Sequence, residues 1–310
     1  MLGLKRGKVA VVDHQTEWEE IAASTIKELK EIFGDTALDI QHIGSTAIRN
    51  IKAKPIIDIA VGVDNLESLT VELMHLEESG IYTRSHNRFS QDLLYVINDA
   101  ESKRTHQIHI LRIDSPQWRN YVDFRDYMNS FPQKAKEYEN LKIELIQKCD
   151  NIQTAYTDGK KEYMDRVLYD ARIYAEMKQK LDISDFEPIT KGWSSDKKYY
   201  IKTASEQQIF LRISDISELN RKKAEYEMME RMYEIGVPIS QPLGYGICDE
   251  GKSVYFLSKW IDGKDAETVL PLMSETEQYV LGLKAGETLR KIHSLSAPDS
   301  IGDWQGRYFS

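Results

Sequence analysis

The sequence predicts an α+β chain of two successive domains, and three observations predict it. Its 310 residues exceed what one ordinary hydrophobic core organises. Up to residue 113, strand-period and helix-period segments alternate, and three long, charged, amphipathic segments follow. After an acidic, proline-bearing stretch at 181–188, strand-like segments return.

The elements follow in order. Residues 9–12 read as a short strand. Glu17–Phe33 reads as a helix, because Trp18, Ile21, Ala22, Ile26, Leu29 and Ile32 recur near helical spacing and Gly34 ends the run. Residues 38–43 and 55–63 read as strands, and the second is so apolar that it belongs at a sheet centre. A helix is expected at 66–78, closed by Gly80, then alternating strands at 92–97 and 106–113. The three trailing helices are expected at 118–130, 134–149 and 154–180. Residues 181–188 read as a linker between a first domain, 1–180, and a second, 189–310. In the second, strands are expected at 198–203, 208–214 and 254–260, with helices at 219–235 and 274–293.

Composition narrows the function. A formal charge of -9 argues against a nonspecific nucleic-acid coat, which needs a basic field, while leaving room for a local basic pocket. No apolar run approaches the ~20 residues of a membrane span, and no apolar signal core follows the N-terminus. The two cysteines, Cys149 and Cys248, lie far apart, so neither a disulfide framework nor a zinc cluster is expected and a cytoplasmic setting is the natural one.

The first candidate site is a turn and a strand. Ile43-Gly44-Ser45-Thr46-Ala47 joins a strand to a short helical turn. Ser45 is placed to cap that turn, and Gly44 lets a phosphate approach backbone N–H groups. Asp58 follows in Ile56-Ile57-Asp58-Ile59-Ala60-Val61. Strand alternation puts Asp58 with Ile56, Ala60 and Gly62 on the less apolar face, where a cleft can form. His109 is a possible neighbour of Asp58 if its strand borders that one; His106, three residues away, points to the other face.

These residues belong to a wider pattern. Trp18, His42-Ile43-Gly44-Ser45-Thr46-Ala47, Lys54-Pro55-Ile56-Ile57-Asp58-Ile59, His109, Trp118, Phe124-Arg125-Asp126-Tyr127 and Tyr156-Thr157-Asp158-Gly159-Lys160 together resemble the GrpB family, a branch of the nucleotidyltransferase fold, over roughly residues 8–172. The resemblance implies a mixed sheet with trailing helices, a nucleotide substrate and Mg²⁺ held at Asp58, the candidate catalytic residue. Gly44, Ser45, Lys54, Arg88 and His109 become candidate nucleotide or phosphate ligands, with Lys160 a further family position. One departure counts against turnover: the second carboxylate of such sites falls two residues after the first, where this chain has Ala60. Plain structural alternatives stand beside each assignment. Asp58 could bond to backbone, His109 could be a satisfied half-buried ring, Lys54 and Arg88 could be surface charges, Arg125 and Asp126 could make local ion pairs, and Lys160 could lie on a solvated face.

The second candidate site begins at Lys191-Gly192-Trp193-Ser194-Ser195-Asp196-Lys197, a Gly-Ser-Ser turn between two expected strands that can lie over phosphates. In Ile209-Phe210-Leu211-Arg212-Ile213-Ser214, Leu211 and Ile213 face inward and Arg212 projects with Phe210 to the other face. Glu225, eleven residues before Gly236, is the expected helical partner of Arg212.

This run, with Gly236-Val237-Pro238, Trp260-Ile261-Asp262-Gly263 and Leu289-Arg290-Lys291-Ile292-His293, resembles the aminoglycoside-phosphotransferase-like kinases over their first half. The resemblance implies a protein-kinase-like N-lobe with an incomplete C-lobe. In it Gly192, Ser194 and Ser195 roof the ATP phosphates, Arg212 and Glu225 grip them, and the stretch of Lys259 and Trp260 forms the adenine hinge. Arg212 stands where a lysine is expected, and none of the seven histidines opens a His-Gly-Asp catalytic loop. The implied whole is a nucleotidyltransferase-like domain fused to a truncated ATP-dependent small-molecule kinase domain. Its partners would be a nucleotide and an unidentified small-molecule acceptor, with no membrane and no nonspecific nucleic acid, and with self-association possible through the truncated lobe. The rival from another class is a nucleotide-binding or regulatory module without turnover.

Overall fold

A computed structural model of the chain describes residues 2–85, 92–148, 153–192 and 194–296, with backbone only at 153–158. The chain divides into two compact units, Met1–Glu176 and Met177–Ser310.

The first unit is built on a six-stranded mixed sheet. Its strands are β1 (Leu4–Lys5), β2 (Ala37–Ile43), β3 (Ile57–Val63), β4 (Thr83–Ser85), β5 (Leu93–Asn98) and β6 (Lys103–Arg112). They lie in the order β2-β3-β6-β5-β4, with β1 also on β6. Among the described residues only β3 and β6 run parallel, and their register sets Asp58 opposite Gln107 and Ala60 opposite His109. One face of β3 presents Ile57, Ile59, Val61 and Val63 to the main core. That core is completed by α1 (Glu17–Phe33) and α2 (Thr70–Glu78). Helix α1 buries Trp18, Ala22, Leu29 and Phe33 along one stripe, and acidic Glu17, Glu19 and Glu20 sit at its electropositive start.

The other face of β3 carries Asp58, Ala60 and Gly62. Helix α3 (Pro116–Ser130) packs there, begun by Ser115, whose hydroxyl accepts from the Trp118 N–H, and by Pro116 in the first turn. Trp118 joins Ile43, Ala60 and Leu111 in a second, small core and lies against Gly62, where a β-carbon would come within 2.8 Å of its ring. Helices α4 (Pro132–Lys148) and α5 (Gln153–Lys178) follow.

The second unit has a five-stranded antiparallel sheet in the order β10-β11-β9-β8-β7. Its strands are β7 (Ile183–Ile189), β8 (Lys197–Thr203), β9 (Gln208–Asp215), β10 (Pro242–Cys248) and β11 (Ser253–Lys259). Helix α6 (Leu219–Glu234) packs on β10 and β11, and α7 (Ala266–Val269) and α8 (Glu275–Ile292) follow. Ser274 and Glu277 form a reciprocal capping box at the start of α8. No helix among the described residues is long and apolar enough to cross a membrane.

Three expectations are corrected. The stretch 181–188 is not a linker: most of it is β7, paired along β8. Phe186 there is 1% exposed and stacks on Tyr199, and Pro188 is tolerated because β7 is an edge strand whose outer N–H positions need no partner. Residues 9–12 make a single bridge, Val12 to Ala53, and the N-terminal strand lies earlier, at β1. Strand β10 was not expected, because Gly244 and Gly246 interrupt its alternation. Gly246 lies under the Tyr255 ring, whose hydroxyl would be 2.8 Å from an added β-carbon.

Candidate active sites

Between β2 and β3 the chain makes the Gly44 turn, and three fixings hold it. Gly44 has φ +71°, and the short turn Ser45–Ala47 follows. Thr46 is fully buried; its hydroxyl reaches the Ile56 carbonyl at 3.2 Å and the His42 Nε2 at 3.0 Å, tying the turn to the start of β3. From α3, Arg125 donates to the His42 carbonyl (2.9 Å) and to Gln41 Oε1 (2.7 Å). Asn129 donates to the Ala47 carbonyl at 2.9 Å and accepts from the Arg49 N–H at 2.9 Å. Arg125 also pairs with Asp126, as the plain reading had it, but its longer reach is structural. Ser45 heads the turn without a side-chain capping bond, so the capping role expected of it is not seen.

Asp58 faces this turn. Its Oδ1 accepts from Gln107 Nε2 at 2.6 Å and lies 3.9 Å from His109 Nε2. The opposite ring nitrogen, His109 Nδ1, meets the wholly buried carboxylate of Asp92 at 2.5 Å. His109 is thus a ring between two carboxylates, with the Tyr121 hydroxyl 3.4 Å from its Nδ1. Burial alone would lower its pKa, but Asp58 and Asp92 outweigh burial and raise it to about 9. Burial would likewise raise Asp58, and His109, Gln107 and Lys54 instead hold it below the usual carboxylate value. His106 points to the opposite face, as expected, with its Nδ1 on the Thr105 hydroxyl.

The surroundings of Asp58 are cationic. Lys54 and Arg104 both feel its field, and burial holds each below its ordinary pKa. Lys160, brought in by α5, is lowered to about 8 by burial and by Lys54, against the pull of Asp58. Helix α4 braces the loop before Lys54. Glu139 accepts from the Lys52 N–H at 2.8 Å, and Lys142 donates to the Lys52 carbonyl at 2.6 Å. Arg104, Gln107 and Asp92 were not singled out as ligands from the sequence; only the parallel β3–β6 register brings Gln107 to Asp58. Arg88 lies outside the described residues.

These residues do not build a resident Mg²⁺ site. Ala60 and Gln107 occupy the positions nearest Asp58 on its face, and Asp92 is engaged by His109. Among the described residues, no three His, Cys, Asp or Glu side chains gather in a metal-holding group. One carboxylate amid cations suits an anion better than a bare divalent ion.

In the second unit, Arg212 stands on β9 with its partner in place. Leu211 and Ile213 are buried on one face, while Arg212 projects on the other and pairs with Glu225 of α6. Asp196, at the end of the glycine turn, joins them unforeseen. Its Oδ2 lies 2.7 Å from Lys222 Nζ and 3.4 Å from Arg212 Nε, and its Oδ1 accepts from the Ser214 hydroxyl at 2.8 Å. Burial opposes the Asp196 charge, but Lys222, Ser214 and Arg212 hold its pKa below the ordinary value. Gly192, at φ +121°, lies against the Lys198 side chain, whose ammonium donates to the Ser194 carbonyl at 3.3 Å, and Ser195 follows before β8. Trp260 meets Tyr200 edge-on at 5.0 Å and Phe210 at 6.3 Å, an aromatic group on the Arg212 side of the sheet. The backbone at the expected hinge is already engaged: the Lys259 N–H bonds to Gln241, the Trp260 N–H to Gln208, and the Lys259 carbonyl accepts from Ser240.

The comparisons follow the same division. A profile of the family described as GrpB protein matches residues 8–170, and one described as the phosphotransferase enzyme family matches residues 185–309. The glutamate-rich protein GrpB of Alkalihalophilus pseudofirmus is 37% identical over 171 residues, covering 54% of this chain and 98% of that one. The Bacillus subtilis UPF0157 protein YqkA is 31% identical over 51% of this chain, and the match spans 45% of the B. subtilis protein. The crystal structure of the conserved protein GrpB from Enterococcus faecalis aligns at 30% identity and TM-score 0.47, covering 52% of this chain and 96% of that one. By its first unit the chain belongs to the GrpB family, and a kinase-like unit matching the phosphotransferase enzyme family is fused behind it.

Proposed function

We propose that the first unit binds a nucleotide through its phosphates between the Gly44 turn and Lys54, Lys160 and Arg104, with Asp58 facing the reacting end. One observation carries this reading: the half-buried cations Lys54, Arg104 and Lys160 converge on the field of Asp58 beside the Gly44 turn. Partly desolvated cations favour an arriving polyanion, because their mutual repulsion falls when phosphate enters. Mg²⁺ enters with the nucleotide, as part of the substrate. In a transfer reaction Asp58 would accept a hydrogen bond from an acceptor hydroxyl, and protonated His109 would sit beside developing negative charge. Ala60, in the place of a second carboxylate, favours the rival reading of nucleotide binding without turnover. For the kinase-like unit the reading is ATP binding, supported by the match of residues 185–309 to the phosphotransferase enzyme family and by the Gly192 turn that precedes β8.

The test is calorimetry of the full chain against a panel of nucleoside mono-, di- and triphosphates, with and without Mg²⁺. The reading expects affinity to rise with phosphate number. A panel with no binder would overturn it.

A further inference from the structure

We propose that Lys198 is the cation of the kinase-like unit that meets a nucleotide's phosphates, while Arg212 serves to hold the sheet, the glycine turn and α6 together. This assignment rests on the reading that ATP binds this unit. It begins with register. Lys198 on β8 is the direct cross-strand partner of Arg212 on β9, so both side chains rise from the same face. Their surroundings then differ. Arg212 is paired with Glu225, lies at ion-pair distance from Asp196 and has the ring of Phe256 5.3 Å from its guanidinium carbon, while its buried Nε makes no hydrogen bond. A phosphate reaching Arg212 would have to displace two carboxylates that are themselves held by Lys222 and Ser214.

Lys198 is placed otherwise. Its ammonium lies inside the glycine turn, where a β-carbon at Gly192 would be only 2.9 Å from Nζ. Its contacts there are long ones to carbonyl oxygens, 3.3 Å to Ser194 and 3.5 Å to Lys191. Among the described residues no carboxylate pairs with it. An ammonium held loosely under a turn that roofs phosphates has its three donors ready to turn to an anion, with little to give up. The lysine missing from position 212 is thereby supplied from the neighbouring strand, at the same level of the sheet.

The experiment follows hydrogen exchange of residues 190–199 in the full chain as ADP and ATP are titrated, which reports this unit and not the first. Wild type, Lys198→Gln and Lys198→Arg are compared, and exchange of α6 and β9 without nucleotide checks that each variant is folded. The expected result is nucleotide-dependent protection in wild type, apparent Kd raised about tenfold or more in Lys198→Gln, and substantial recovery in Lys198→Arg. Wild type without any ATP-dependent protection would overturn the ATP reading itself. Protection with the same Kd in Lys198→Gln would leave ATP binding standing and overturn the role of Lys198.

Discussion

A β-carbon added at Gly44 would lie 2.3 Å from Asp58 Oδ2, so the turn and the carboxylate occupy adjoining space that only glycine leaves open. The backbone at Gly44, φ +71° with ψ -168°, is also one that side-chain-bearing residues rarely adopt. Gly44→Ala therefore strains the backbone and pushes Asp58 aside. It should destabilise the first unit by roughly 2–4 kcal/mol. Ser45→Ala, next to it, should cost under about 0.5 kcal/mol. Urea unfolding of both variants checks the contrast. Equal stabilities would mean the turn relaxes freely and does not define the site.

His109 should titrate far above an ordinary histidine. Its folded-state pKa is raised from 6.5 to about 9, so its ion-pair stabilisation is complete below pH 6.5 and is lost as pH rises through about 9. Asp58, lowered from 3.8, gives the opposite limb: its stabilisation is present above pH 3.8 and lost as pH falls through its lowered pKa. The pair is thus strongest between these limits. Proton NMR of the His109 ring should show a midpoint near 9 that falls in Asp58→Asn. A midpoint near 6.5 in wild type would deny the two-carboxylate setting.

A chelator should leave the free protein unchanged. With Asp58 flanked by Ala60 and Gln107 on its face, the described residues offer no carboxylate cluster for a resident divalent ion. Melting curves with and without EDTA should superimpose. A lower Tm in EDTA would reveal a metal that these side chains do not explain.

In the kinase-like unit, Lys222 and Asp196 are 5% and 8% exposed at the side chain and 2.7 Å apart. Lys222→Met leaves Asp196 with the Ser214 hydroxyl and the more distant Arg212 and should cost roughly 3 kcal/mol. Adding Asp196→Asn should recover part of that loss, because it removes the stranded charge. Denaturant unfolding of the two single variants and the double variant measures the coupling. Strictly additive losses would show that the two do not interact.

The sequence carried some of this and withheld the rest for physical reasons. Helix α1 was legible to the residue, because its apolar stripe, acidic first turn and closing glycine agree. The Arg212–Glu225 pair was legible through the resemblance to the kinases, which sets a strand cation against a glutamate of the following helix. Gln107 was not, since an uncharged residue gains meaning only when β6 is set parallel to β3. Asp196 was hidden likewise: its partners Arg212, Ser214 and Lys222 come from β9 and α6 and meet only in three dimensions. Strand β7 was missed because acidity and a proline suggest a linker, while an edge strand accepts both.

The central claim is that the cations around Asp58 receive the phosphates of a nucleotide. Calorimetric titration of ATP into wild type and into the double variant Lys54→Met/Lys160→Met tests it most directly, with ATP saturating the kinase-like unit of both proteins treated as a separate, common site. The account predicts a site in wild type that weakens steeply with salt and is lost, or weakened about a hundredfold, in the double variant. The same two-site isotherm from both proteins, at matched folding, would contradict it.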